Sequence, residues 1–266
     1  MIDATRAAEW PCTNEEYHAT TDYVSHSGLK IFAESPRLYH GRFVAKTIPA
    51  PEPTEALTLG TWFHAAVLEP EKFAEIVASC GKLTKPEAKR YDLVARMTQA
   101  VLAHPLASML LSQDGPVEHS IVWRDEVTGL HCKSRRDKLT KDNNGRTIIA
   151  DLKTSNDPRP EAFARDSHNF RYYRQAPYYL EGHRVLTGED ASFVYIVVGK
   201  SEPYEVALYE LDEEALALGA RENRILLNRL AHCHKIKQWT TPWECQVTKL
   251  ALPRWAYSRR ENTLED

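Results

Sequence analysis

From about residue 116 the chain alternates between apolar and polar positions. In VEHSIVWRDEVTGLHCKSRRDKLT, apolar side chains such as Ile121 and Trp123, and later Leu130 and Cys132, fall two apart, which predicts two half-buried strands joined by the turn DEVTG. TIIADLKT predicts a third strand after the polar turn KDNNG, and ASFVYIVVGK and YEVALYEL predict two more. A helical stretch over roughly 160–187 separates the first three strands from the last two. Upstream of 116 the period lengthens. SHSGLKIFAESPRLYHGRF offers Ser27 as an N-cap, Leu29 and Phe32 at helical spacing, and a break at Pro36. LTLGTWFHAAVLEPEKF reads as one helix with His64 and Leu68 on one face, and KPEAKRYDLVARMTQAVLAH as another. Between them, KTIPAPEPTEALT has three prolines and reads as a linker. Near the end, DEEALALGARENRILLNRLAHCHKIKQW has Asp212 as cap, acids in its first turn, bases in its last, and an apolar stripe at Leu216, Ala220, Leu227 and Leu230.

This order predicts an α/β (mixed α+β) fold with a central mixed β-sheet flanked by helices. It also predicts one domain over 1–266, with a helical part at 1–112, a sheet-bearing core at 113–210, and a C-terminal helix and tail at 211–266.

Composition narrows the function classes. With 42% hydrophobic and 27% charged residues the chain is ordinary for a soluble globular protein, and no apolar stretch approaches the ~20 residues a membrane helix needs. MIDATRAAEWPCTNEEY lacks the charged-then-apolar order of a signal peptide, so a cytoplasmic setting is expected. The five cysteines are scattered and form no CxxC pair, which predicts reduced thiols and no zinc or iron–sulfur site. A net charge of −3 argues against coating nucleic acid by overall attraction. The segment from His131 to Pro177 is nevertheless basic, with eleven Lys or Arg against six Asp or Glu.

Within that segment, Asp151 and Lys153 lie two apart on the predicted third strand, so both project from one face while Leu152 points the other way. A hairpin closing at KDNNG carries Asp137 beside Asp151. Two carboxylates that close raise one another's pKa unless a cation lies between them. Oxygen-only ligation favours Mg²⁺ or Mn²⁺ over zinc. A lysine beside such a site can hold an attacking water and offset charge on a phosphodiester, which is the chemistry of a metal-dependent nuclease. The same D-x-K also fits a surface ion pair on an edge strand.

RRDKL followed by IIADLKT resembles the core of the PD-(D/E)xK nuclease superfamily. SHSGLKIFAESPRLYHGRF, LGTWFHAAVLEP with its G-x-x-x-H, and NFRYYRQAPYYLEG with its Gln-x-x-x-Tyr resemble, in the same order, the motifs of the RecE-like (exonuclease VIII-type) phage exonucleases, over roughly residues 24–200. The resemblance implies a restriction-endonuclease-like fold, catalysis by two Mg²⁺ ions with Mn²⁺ able to substitute, and 5′-to-3′ degradation of linear double-stranded DNA from its ends in recombination or repair. It implies Lys153 as the catalytic lysine, and His64, Asp137, Asp151 and the Leu152 carbonyl as metal ligands, with Glu69 in or near the outer shell. Gln175 falls near the active-site acids. Arg171, Arg174 and Tyr179 fall near the DNA backbone, and the basic segment that includes Lys133 and Arg136 lines a channel. It further implies a homo-oligomeric ring, trimer or tetramer, and a RecT-like single-strand annealing partner.

Two positions depart from the pattern. Arg136 stands where the superfamily's name places proline, and Pro177 falls inside the Gln-x-x-x-Tyr helix, where it is expected to kink or restart it. Two other functions compete: a catalytically idle DNA-binding or scaffold protein of the same fold, and a PD-(D/E)xK endonuclease. A Cas4-like reading lacks its four-cysteine cluster. Tyr172, Tyr173 and Tyr178 are expected to be core.

Overall fold

A six-stranded sheet in the order β1 (Ala7–Glu9), β2 (Val117–Arg124), β3 (His131–Lys141), β4 (Thr147–Ser155), β5 (Ser192–Gly199) and β6 (Val206–Tyr209) forms the centre of this computed structural model, which describes residues 6–241 and 244–258. Neighbours are antiparallel except β4 and β5, which are parallel. Parallel pairing needs a long crossover, supplied here by the helical stretch between these two strands. Helices α1 (Asn14–Ala19), α2 (His26–Glu34), α3 (Pro36–Tyr39), α4 (Glu55–Leu68), α5 (Pro70–Ser79), α6 (Lys85–Ala103) and α7 (Pro105–Ser112) precede β2, and a π-helical turn, His40–Val44, follows α3. The crossover consists of α8 (Pro160–Phe170) and α9 (Tyr172–Thr187). After β6 come α10 (Glu213–Ile236) and α11 (Arg254–Ser258). No helix among the described residues is long and apolar enough to cross a membrane.

The strand period of two sorts β4 between two cores. Ile148, Ala150 and Leu152 pack with Val194, Ile196 and Val198 of β5 against α4, α6 and α7. Ile149 and its β5 neighbours Phe193, Tyr195 and Val197 pack against Phe163 of α8 and Ala176 of α9. Strand β5 is buried on both faces, which explains its unbroken apolar run. A third cluster joins Ile121, Trp123 and Cys132 to α2, α9 and α10.

The β3–β4 ladder stops at Lys138↔Ala150, and one further step of that register sets Asp137 opposite Asp151. Beyond it the strands part. Strand β4 stays on β5 as far as Ser155↔Gly199, while β3 takes Val24 in place of β4: the Val24 N–H donates to the His131 carbonyl (2.8 Å), and the Lys133 N–H to the Val24 carbonyl (2.7 Å). Helix α2 starts immediately afterwards, so its first turn sits inside the fork.

Several boundaries differ from the expectations. The α2 cap is Ser25, whose Oγ accepts from the Gly28 N–H (3.1 Å), and Ser27 hydrogen-bonds that same hydroxyl (3.0 Å). The expected single helix over 57–73 breaks at Glu69–Pro70, because proline cannot donate to α4 but is well suited to the first turn of α5. Thr54 caps α4 and so shortens the linker. Strand β1, three residues long, is too short to show alternation.

Pro177 does not restart its helix: α9 is continuous from Tyr172 to Thr187. The Tyr173 carbonyl, which proline leaves without its helical donor, faces Gly219 of α10, where a Cβ would lie 1.9 Å from that oxygen. Asn223 Nδ2, one turn along α10, donates to the next carbonyl, Arg174 (2.8 Å). The close approach of α10 thus braces α9 where its own ladder is interrupted.

Candidate active site

At the fork, backbone groups of Leu152 that a continuous ladder would occupy turn to side chains. The Leu152 N–H donates to Asp137 Oδ2 (2.8 Å), and His64, reaching down from α4, places Nε2 3.0 Å from the Leu152 carbonyl and Nδ1 3.3 Å from Asp137 Oδ2. On the α9 side of β4, Asp151 is 2% exposed. Its Oδ1 accepts from Gln175 Nε2 (2.7 Å), and its Oδ2 is ion-paired with Lys153 Nζ and makes no other hydrogen bond. The Lys153 ammonium also lies 4.7 Å from the ring centroid of Tyr172 and 5.9 Å from that of Tyr195. Asp137, Asp151, Lys153, His64, Leu152 and Gln175 are therefore brought together.

Burial is the main perturbation here. It pushes the Asp137 carboxyl up to about 7, opposed by His64 and reinforced by Asp151. Burial works against charge on Lys153, but Asp151 and Tyr172 outweigh it and hold the ammonium above the usual lysine range.

Glu118 belongs to the same cluster and was missed from sequence. One ligand atom each from His64, Glu118 and Asp137 lies within 4.8 Å of the others. Counting outward from the Arg124↔His131 pair sets Glu118 opposite Asp137, so the hairpin register was the available signal. Its backbone has φ +46, which is costly for a residue with a side chain and occurs here beside the acids. Arg135 Nε holds its carboxylate at 2.6 Å. Two carboxylates, a backbone carbonyl and one imidazole suit a hard divalent cation such as Mg²⁺ or Mn²⁺.

Three of the basic residues expected near DNA are buried. Arg136 is 1% exposed, between the Nδ1 atoms of His119 and His183 (3.1 Å to the latter), and burial together with Arg136 itself lowers both imidazole pKa values. Lys133 is buried at the carbonyl end of α1, donating to the Tyr17 and Thr20 carbonyls and lying over the Tyr17 ring. Arg174 is buried beside Glu222. None of the three lines the cleft at the fork. Arg171 does not continue the Gln175 face: it is the left-handed residue (φ +67) between α8 and α9, its guanidinium donating to the His168 carbonyl (3.0 Å). Glu69 lines the cleft but pairs with Lys72 at 3.0 Å. Tyr179 lines the cleft, as does Tyr172, whose ring also packs against the Phe163–Tyr195 core; Tyr173 and Tyr178 are buried as expected. The cleft, about 560 Å³, runs from the fork between α2, α4 and the start of α9.

A mixed sheet with an acid on one strand, acid-x-lysine on the next and a fork between them defines a PD-(D/E)xK nuclease-type fold. The chain belongs to the family described as "PDDEXK-like domain of unknown function (DUF3799)", which matches residues 25–251. No curated protein matches it in sequence. Among solved structures it is similar to one titled "Putative exonuclease" from Eubacterium rectale, at 15% identity over 94% of this chain and 98% of that one, with a TM-score of 0.65. The protein SSO0001 aligns over 82% of this chain and 89% of its own at 17% identity, with a TM-score of 0.32, too loose to bear on the fold.

Proposed function

We propose that the protein is a metal-dependent exodeoxyribonuclease that degrades linear double-stranded DNA from its ends, 5′ to 3′, in phage-type recombination or repair. The observation that carries this reading is the junction of Asp137 and Lys153 with His64 and Leu152 at the floor of one open cleft, with Asp151 buried directly behind Lys153. The Eubacterium rectale neighbour, described as an exonuclease, favours that reading over an endonuclease.

His64, Asp137, Asp151, Glu118 and the Leu152 carbonyl would hold the cation or cations, Mg²⁺ with Mn²⁺ able to substitute, two ions in the full reading. A bound divalent cation supplies Lewis acidity toward the phosphate and makes water acidic enough to attack. The chain's own groups do the rest. Lys153 orients the attacking water and offsets charge that builds on the phosphate oxygens. Gln175 fixes one oxygen of Asp151 so that the other faces Lys153, and His64 and Asp137 together hold the Leu152 peptide in place. The same reading includes a trimeric or tetrameric ring, which would keep a protein of net charge −3 on DNA by topology, and a RecT-like annealing partner that takes up the exposed strand.

Digestion of linear and covalently closed circular duplex in Mg²⁺, with and without EDTA, tests it. Linear DNA should be degraded, circles spared, and EDTA should stop the reaction. Equal rates on circles would make the enzyme an endonuclease, and no cleavage of either would leave the idle binding protein.

A further inference from the structure

Phe170 stands where neither the fold nor the proposed chemistry requires an aromatic ring. It follows Phe163 by two helical turns, on the face of α8 that buries Phe163 and Ser167, yet Phe170 is 48% exposed where Phe163 is 4%. Helix α8 ends at Phe170, and Arg171 turns the chain through its left-handed conformation. The ring therefore projects into the cleft. Its centroid is 5.7 Å from that of Tyr172, whose ring holds Lys153 Nζ at 4.7 Å, and Lys30 of α2 places its ammonium 5.9 Å from the Phe170 ring. A flat apolar surface thus lies one ring away from the proposed catalytic lysine, with a second cation beside it.

We propose that Phe170 is the platform on which an unpaired base of the DNA strand entering the cleft stacks. The proposal rests on the nuclease reading above and specifies the form of substrate at the site. Inside a duplex both faces of a base are covered by its neighbours, so a ring in this position takes a base at an end, and a whole base face becomes free there when the end frays or carries a single-stranded overhang. An aromatic face accepts any base, which suits degradation without sequence preference, and such stacking changes affinity by roughly 5- to 150-fold per base. Lys30, whose ammonium lies over the Phe170 ring, and Lys153, one ring further on, attract the phosphates attached to that nucleotide.

Binding in Ca²⁺ isolates the contact from cleavage. A linear duplex with a short single-stranded overhang is compared with the same duplex carrying abasic nucleotides in the overhang, by fluorescence anisotropy, on the parent protein, Phe170→Ser and Phe170→Trp. Loss of the bases should weaken the parent and Phe170→Trp by roughly 5- to 150-fold and affect Phe170→Ser far less. Because the ring is half-exposed, Phe170→Ser should keep the parent's thermal midpoint closely. Phe170→Leu, which keeps apolar bulk without the flat face, repeats the test if the serine variant unfolds. Equal abasic penalties in parent and Phe170→Ser, or none in the parent, overturn the platform. Cleavage in Mg²⁺ is scored on the same duplexes. A protein that shows the abasic coupling but never cuts overturns the nuclease reading and leaves the platform, and one that cuts without the coupling does the reverse.

Discussion

Gln175→Ala tests whether the α9 side of the site is part of the chemistry or only covers it. The glutamine is 8% exposed, and its Nε2 donates to Asp151 Oδ1 at 2.7 Å. A hydrogen bond to a charged acceptor contributes about 1.5–3 kcal/mol, and a buried acceptor left without its donor loses that in full. Converted at about 1.4 kcal/mol per tenfold, the loss is roughly 10- to 150-fold, in keeping with the roughly 10- to 100-fold usually seen when a residue orienting a ligand is removed. Single-turnover cleavage of linear duplex across a Mg²⁺ titration reads it. Gln175→Ala should require more Mg²⁺ and reach a lower plateau, because Asp151 is then fixed by Lys153 alone and can swing toward it. Gln175→Glu, which sets a second carboxylate against Asp151, should fall further. Parent-like rates for Gln175→Ala over the whole titration, with its thermal midpoint unchanged, would refute the reasoning and leave Gln175 as packing.

Lys153→Ala should lower turnover by about 10²- to 10³-fold while linear duplex is bound in Ca²⁺ nearly as well as by the parent; a collapse of affinity with unchanged single-turnover cleavage would make Lys153 a docking residue. Gly219→Ala should lower the thermal midpoint, since its Cβ would meet the Tyr173 carbonyl at 1.9 Å and overpacking of this kind typically costs about 1–3 kcal/mol; an unchanged midpoint would mean α10 can move away freely. In EDTA, the folded state holds a proton on Asp137 up to about 7, whereas the unfolded chain releases it near the ordinary aspartate value of about 3.9. The folded state binds more protons across that window, so stability falls as pH rises through it. Urea unfolding of the parent and of Asp137→Asn at several pH values should show the slope in the parent and a flatter curve in the variant; equal slopes would assign the pH dependence elsewhere.

Strands β2, β3 and β4 were readable because each is long and bounded by a polar turn, and β5 by its unbroken apolar run, and the β3–β4 turn alone was enough to set Asp137 across from Asp151. The residues whose burial was not foreseen share one cause. Lys133, Arg136 and Arg174 were placed near DNA by the resemblance and by the basic run they sit in, but each is a buried cation set beside groups far away in sequence: the carbonyls of Tyr17 and Thr20, the imidazoles of His119 and His183, and Glu222. Such pairings leave no local pattern. Glu118 was lost for the opposite reason, since its cue was a strand register that composition and spacing do not display. Helix α9 runs on through Pro177 although the sequence marks a break there, and what packs against its first turns, Gly219 and Asn223, belongs to another helix that local sequence does not display.

The fork between β3 and β4 also determines how far this site can be traced in other sequences. Asp137 and Asp151 sit where pairing ends, and the paired run of Lys138–Lys141 with Thr147–Ala150 lies between them and the turn, whose Asp142 accepts from the Asn144 and Arg146 N–H groups (both 2.9 Å). At about 3.4 Å per residue, that turn is more than ten ångströms from the acids. Residues can therefore be added to or removed from the turn, or the ladder lengthened by whole pairs, while the acids stay face to face. A single insertion inside either strand would instead rotate one acid to the wrong side. The interval between the two acids is thus a measure of hairpin length and free to drift among relatives, whereas the step of two from Asp151 to Lys153 is fixed by the pleat. A search that holds the first distance constant will pass over relatives that one holding only the second will find.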